Sequence, residues 1–259
     1  MIDHTFVILA HKESPYLEAC VQSILIQSKK SEVIITTSTP SDFIKEIANR
    51  NQIKYIVNDS GKIGVVNDFN FAYSQAQTKY VTLAHQDDVF EKDYSSNIFE
   101  SMQRVSNPLI AFTNSSDLID GKLQKSSFKT FIKQLLLFPF LFSRSIESIF
   151  LKKMMLSFGN PINCPTVTFN KQIIPDFEFS PTYVILYDWE AWIKLAKMPG
   201  AFVYLSDRLL QYRFHEGSVT SSQIEKFKQE ELSILKTIWG SMIGRLVFNI
   251  YQLNHYDRS

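Results

Sequence analysis

Cysteine is nearly missing from this 259-residue chain. Its two copies, Cys20 and Cys164, stand far apart and in no metal-type spacing, so both are expected as reduced, buried thiols. An excess of charge of either sign is missing as well. The 27 Lys and Arg against 26 Asp and Glu leave a formal net charge of +1, which argues against a general nucleic-acid binder. Only 8 Gly and 9 Pro accompany 45% hydrophobic residues, which excludes a low-complexity or disordered chain. No window approaches the ~20 uninterrupted apolar residues of a membrane span. The N-terminus has a short apolar run and no basic leader, so no signal peptide is expected, and the cytoplasm is the expected compartment. What is abundant is aromatic, with 21 Phe, in a length that fits one large domain or a domain with an appendage.

The first half alternates in period. TFVILA (5–10) is a continuous apolar run, and Leu17, Cys20, Val21, Ile24 and Leu25 follow at helical spacing behind Ser14-Pro15. EVIITTS, IKYIVND and KYVTLAH are further strand candidates. Between them SDFIKEIANRN, with Ser41 or Asp42 as cap, and IGVVNDFNFAYSQAQ read as helices. Alternating strands and helices, with strands that are apolar throughout, predict an α/β domain whose largely parallel sheet is covered on both faces. Ligands collect at the carboxyl ends of such strands, so the loops LAHKES, TTSTPSD, VNDSGK and HQDD should converge.

The segment from Lys122 to Met155 differs. It carries Lys122, Lys125, Lys129, Lys133, Arg144, Lys152 and Lys153 against a single acid, Glu147, around the apolar run LLLFPFLF (135–142). Two readings stand: contact with an anionic membrane surface, or a helical insertion that buries the run against the domain. Beyond it, NCPTVTFNK and AFVYLS read as strands, VILYDWEAWIKLAKM as a helix ended by Pro199-Gly200, and LLQYRFHEGSVT as the way out of the fold. From Ile224 onward Leu232, Leu235, Ile238, Trp239, Met242, Ile243, Leu246, Val247 and Ile250 form a helical apolar stripe, suited to packing on the domain, dimerisation or membrane docking.

Two adjacent acids, Asp87 and Asp88, end the fourth strand candidate. A hard divalent cation, Mg²⁺ or Mn²⁺, takes one or two carboxylates plus substrate phosphates, and such a pair meets that need. A solvated turn is the plainer alternative.

Several ordered motifs together carry a resemblance over residues 4 to 220. The helix pattern formed by Leu17, Cys20, Ser23, Ile24, Leu25 and Gln27 comes first. Gly64, Asn70 and Ala72 follow, then His85-Gln86-Asp87-Asp88, Tyr187-Asp188, and the late Tyr212, Arg213 and His215. This succession resembles the inverting GT-A glycosyltransferases of family 2. The resemblance implies a Rossmann-like mixed sheet, mainly parallel, with helices on both faces and a C-terminal helical extension. It implies a GT-A domain over 1–222 (a nucleotide-sugar half 1–120, the insertion 122–158, an acceptor-side half 159–222) and an extension over 223–259.

The same resemblance implies roles. Asp188 is the catalytic base. Asp87 is the first ligand of a metal site for Mn²⁺ or Mg²⁺, with Asp88 assisting through water or merely fixing the loop. Ala10, His11, Glu13, Thr36, Asn70 and Asp87 face the nucleotide, the first loop mainly through its main chain. Trp189, Glu190, Arg213 and His215 face acceptor or phosphate, although core packing for Trp189 and a solvated charge for Glu190 are the alternatives. The donor is a nucleotide sugar, with UDP expected, and the acceptor a glycan or lipid-linked glycan of bacterial surface polysaccharide synthesis. The protein is then cytoplasmic or peripheral on the inner membrane face, alone, as a homodimer or with a partner glycosyltransferase. Departures are His85 where relatives carry an acid, Lys12 for the usual Asn, Tyr187 for a Glu, and TTSTPSD for an acidic turn. Two other classes remain open: a metal-dependent phosphohydrolase or nucleotidyltransferase, and a non-catalytic partner subunit.

Overall fold

A computed structural model describes residues 2–62, 64–124, 128–215 and 223–255. The exit segment 216–222, Lys125 and residues 256–259 lie outside the described residues.

Four parallel strands form the first half of the sheet: β1 (His4–Leu9), β2 (Glu32–Thr37), β3 (Lys54–Val57) and β4 (Tyr80–His85). Helices α1 (Leu17–Leu25), α2 (Asp42–Arg50) and α3 (Val65–Gln75) connect them. Ser41 caps α2 as expected, its hydroxyl accepting from the Ile44 N–H. The strands carry continuous apolar runs because both faces of the sheet are buried. Val7, Ile34, Val81 and Leu83 enter one core, and Phe6, Ile8, Ile35 and Ala84 the other.

The remaining strands are β5 (Val89–Phe90), β6 (Pro108–Ile119), β7 (Lys122–Gln124), β8 (Ser145–Ile146), β9 (Val167–Asn170) and β10 (Ala201–Phe214). All ten strands join one sheet, in the order β3-β2-β1-β4-β9-β6-β10-β5, with β7 beside β6 and β8 beside β10. Antiparallel β9 joins the first parallel block to a second parallel pair, β6 and β10. Helix α4 (Tyr94–Gln103) and strand β6 occupy a stretch in which the sequence patterns above identify no element. The segment expected to leave the fold after residue 209 instead continues β10 to Phe214. Register shifts between Leu205 and Arg208, and between Arg208 and Leu210, keep it paired with β6.

The insertion folds as β7, α5 (Phe128–Leu136), a 3-10 turn at Phe138–Leu141, β8 and α6 (Ile149–Leu156). Its apolar run divides: Leu137 and Phe140 are buried, whereas Leu141 and Phe142 are 80% and 87% exposed. Helix α7 (Tyr187–Ala196) leads into β10, and α8 (Ile224–His255) closes the described chain. Helix α8 breaks at Gly240, where φ is 79°. Before the break Ile234 and Leu235 are buried and Trp239 stacks on Phe158; after it Met242 and Leu246 are exposed.

Gly200, in the turn from α7 to β10, has φ +116°, and a Cβ there would lie 2.9 Å from the Asn107 carbonyl oxygen. Gly200→Ala is expected to destabilise the protein by about 1–3 kcal/mol, through backbone strain and overlap. Chemical denaturation measures this, and an unchanged midpoint would contradict the reading.

Candidate active site

The parallel register places Leu9 beside both Thr36 and His85, and Thr37 beside Val57, so four strand ends share one edge. Side chains then lock their loops together. Gln86 accepts from the His11 N–H at 3.0 Å and donates to the His11 carbonyl at 2.9 Å. The Lys12 N–H donates to Thr39 Oγ1. Asp68, on α3, accepts from Ser38 Oγ at 2.8 Å and Asn58 Nδ2 at 3.0 Å, tying the second and third loops together. The convergence expected from the sheet alone is therefore built by specific pairs.

Helix α1 splints the acidic loop, which explains the physical use of its motif. Cys20 Sγ contacts the His85 carbonyl, Ser23 Oγ accepts from the Phe90 N–H, and Gln27 bridges the Glu91 carbonyl and the Ser95 N–H. Both cysteines are buried and free.

The two aspartates have unequal positions. Asp88 is 2% exposed, and its Oδ1 accepts from the Arg213 N–H at 2.9 Å. Burial, then the charge of Asp87, pushes its carboxyl well above the usual range. Asp87 is the more open, and its Oδ2 lies 2.8 Å from His215 Nε2. Arg213 donates from Nε to the Asp87 carbonyl at 2.8 Å, and its guanidinium lies 4.3 Å from the centre of the Tyr16 ring. Asp87, Arg213 and His215 thus meet, as the sequence motifs suggest. Asp88 turns inward: its Oδ1 holds the end of β10 through the Arg213 N–H, and its Oδ2 is buried with no hydrogen-bond partner among the described residues. His85 packs edge-on against Phe69, and burial holds its pKa below the ordinary imidazole value against the pull of Asp87. A neutral ring therefore stands where an acid was expected from relatives.

Asp188 lies in the first turn of α7. Burial raises its pKa to about 6, opposed by the Trp189 N–H on Oδ1 (2.7 Å), Asn160 Nδ2 on Oδ2 (2.9 Å) and the charge of Lys133. Tyr212 stands within electrostatic reach of both acidic centres: burial first, then the charges of Asp88, Asp87 and Asp188, raise the pKa of its phenol. The start of α7 is itself held from α8. Glu230, 8% exposed, accepts from the N–H groups of Val184, Ile185 and Leu186, each at 2.9 Å.

Trp189, Asn70 and Thr36, also expected at the site, are engaged within the protein. Trp189 is 2% exposed and donates to the Leu156 carbonyl, so its ring packs in the core and presents no face to a sugar. Asn70 exchanges two hydrogen bonds with the Phe179 main chain, and buried Thr36 offers its carbonyl to the Ala10 N–H. Glu190 is partly buried, which raises its pKa, while His11 and Glu13 are exposed at the loop. The sequence patterns assign no role to Tyr16, Gln86, Asn160 or Glu230. Only Gln86 carried a local signal, its place beside the acidic pair.

The chain matches the family model described as Glycosyl transferase family 2 over residues 5–166, more than half its length. No curated protein matches it in sequence. Among solved structures, S. aureus TarS 1–349 is 14% identical with a TM-score of 0.63, covering 100% of this chain and 73% of that one. TarS 1–349 in complex with UDP-GlcNAc gives the same identity and TM-score over 100% and 74%. The mannosyltransferase PcManGT from Pyrobaculum calidifontis, in complex with GDP-Man and Mn²⁺, is 11% identical with a TM-score of 0.65 over 98% and 75%. These likenesses show the GT-A fold.

Glu230→Ala leaves three main-chain donors unpaired. It is expected to destabilise the protein by about 2–4 kcal/mol. A chemical-denaturation midpoint equal to that of the parent protein would contradict this role.

Proposed function

The chain belongs to glycosyl transferase family 2, and we propose that it transfers a sugar from a UDP-sugar to an acceptor hydroxyl with inversion, aided by a divalent cation. The observation that carries the reading is the presence of two unlike acidic centres, Asp87 and Asp188, near enough to each other for both charges to act on Tyr212. Asp87 is partly open beside His215 and Arg213, and Asp188 is held ionisable with a pKa of about 6.

Among the described residues no group of three or more His, Cys, Asp or Glu forms a metal site. Asp87 and His215 fit a cation that draws its remaining ligands from a diphosphate and water. When bound, such a cation offsets the charge that develops on the departing diphosphate. The chain's own part is otherwise electrostatic and geometric. The Arg213 guanidinium, fixed on Tyr16, adds a second positive charge at this edge. Asp188 accepts the acceptor's hydroxyl proton as its oxygen attacks the anomeric carbon. The bond to the diphosphate breaks on the opposite face, and its electron pair leaves with the β-phosphate. A pKa of about 6 leaves the base largely ionised at neutral pH.

The acceptor is proposed as a glycan or lipid-linked glycan of a bacterial surface polysaccharide, met at an anionic membrane. No helix of the described residues is long and apolar enough to cross a membrane. The support lies in the insertion, where the 3-10 turn sits beside α6 and Phe142 and Phe150 are 87% and 72% exposed. Arg144 and Lys153 flank them, with Glu147 as the segment's single acid.

Thermal shift with UDP- and GDP-sugars, with and without Mn²⁺, tests the donor. Metal-dependent stabilisation by UDP, lost in Asp87→Ala, is expected; indifference to every nucleotide would refute the reading. Asp188→Asn is expected to keep donor binding and to lower transfer by about 10²–10⁴-fold. Transfer by the parent protein should fall with acid as Asp188 protonates near pH 6. Flotation on anionic vesicles at low salt tests the membrane contact. Phe142→Ser with Phe150→Ser should weaken it, and failure of the parent protein to bind would end that part of the proposal.

A further inference from the structure

We propose that Asn160 is a positioning residue for the base, fixing the direction of the Asp188 carboxylate and holding it ready to accept a proton. The inference rests on the reading of Asp188 as the base, and goes beyond it by assigning a task to the loop that leaves the insertion.

The geometry is specific about which end of the Asn160 amide faces the carboxylate. The Ile162 N–H donates to Asn160 Oδ1 at 3.2 Å, so the amide oxygen is already turned to its own loop. The Nδ2 group is left to donate to Asp188 Oδ2 at 2.9 Å. A flipped amide would set oxygen against oxygen on Asp188 and nitrogen against N–H on Ile162, losing both bonds. The Trp189 N–H occupies Oδ1 at 2.7 Å, so each carboxylate oxygen has one fixed donor and retains capacity for the incoming hydroxyl.

The loop that carries Asn160 is itself held at several points. Pro161 restricts the backbone of Asn160 to extended conformations, and Ile162 is 1% exposed. Asn163 Nδ2 donates to Ser115 Oγ on β6 at 2.6 Å, and Asn163 Oδ1 accepts from Lys133 Nζ on α5. Just before the loop, the Leu156 carbonyl takes the Trp189 indole N–H, and the Ser157 carbonyl takes that of Trp239. An amide anchored this firmly differs from a surface Asn that happens to touch an acid. It sets the direction of its partner, and the cost of that order is met in folding rather than at each turnover.

The titratable groups that face Asp188 are Lys133 from α5, Cys164 from the turn before β9, Tyr187 on its own helix and Tyr212 from β10. Lys133 is the cation among them. Burial raises the pKa of Asp188, and the two N–H donors and Lys133 oppose it. Loss of the Asn160 donor leaves burial less opposed, so the pKa must rise.

Two substitutions and one measurement on the parent protein test this. Asn160→Asp keeps size, shape and the bond from Ile162, but removes the donor and sets a second carboxylate against the first. Asn160→Ala removes the donor alone. Hydrolysis of UDP-GlcNAc, or of whichever nucleotide sugar binds in the thermal-shift panel, is followed against pH. In Asn160→Ala the acid limb should move up by about one pH unit, and in Asn160→Asp further, with activity recovered in alkali. UDP binding should stay unchanged in both. An acid limb that stays in place in both variants overturns the proposal, however much activity is lost. In the parent protein, the side-chain ¹⁵N signal of Asn160 should titrate with Asp188 between roughly pH 5 and 7. A signal indifferent to pH overturns the contact even if neither variant folds. Failure of the underlying reading looks different: Asp188→Asn would then retain transfer while the Asn160 signal still titrates.

Discussion

The end of β10 is fastened to the loop after β4, and the site depends on that clasp. The Arg213 N–H rests on the Asp88 carboxylate, the Arg213 side chain on the Asp87 carbonyl, and His215 on the Asp87 side chain. More than a hundred residues of chain separate the two segments, so loop closure must be stabilised by groups that are themselves well ordered. Helix α1 supplies that order from below through Cys20, Ser23 and Gln27, and Tyr16 supplies it from the side beneath the guanidinium. A buried carboxylate with one N–H donor is costly alone. Here it divides two adjacent acids into an anchor and an outward-facing group, which resolves why like charges stand side by side.

The insertion and the C-terminal helix carry more than surface. Glu230 of α8 gathers three main-chain donors just ahead of Asp188, and Asn160 at the end of the insertion meets Asp188 itself. Both additions to the sheet thus converge on the first turn of α7. They also leave their outer faces apolar, at Leu141, Phe142 and Phe150 on one and at Met242 and Leu246 on the other. An inner polar contact to Asp188 and an outer apolar face on the same elements support the proposed acceptor at a membrane surface.

Legibility in the sequence followed the range of the interactions. Strands β1 to β4 and their helices were readable, because burial on both faces leaves continuous apolar runs and the helices keep their spacing. Strand β10 is readable only as far as Ser206. Beyond it Asp207 and Arg208 interrupt the pattern where the register shifts, and pairing with β6 carries the strand onward. Asp87 and Asp188 could be picked out because their motifs are local. The tasks of Asn160 and Glu230 could not, and the inward turn of Asp88 and the core position of Trp189 stood only as alternatives. Each is decided by a partner at least 28 residues away in sequence, the separation of Asn160 from Asp188 being the shortest.

The proposed mechanism rests on a division of labour between Asp87, Asp88 and Asp188. The most direct test is a crystal structure of the protein with UDP and Mn²⁺. The cation is expected on Asp87 and the diphosphate beside Arg213 and His215. Asp88 should still be bonded to the Arg213 N–H, and the Asp188 carboxylate should face the space where the sugar would attach. A cation held by Asp88, or a nucleotide seated away from this strand edge, would contradict it.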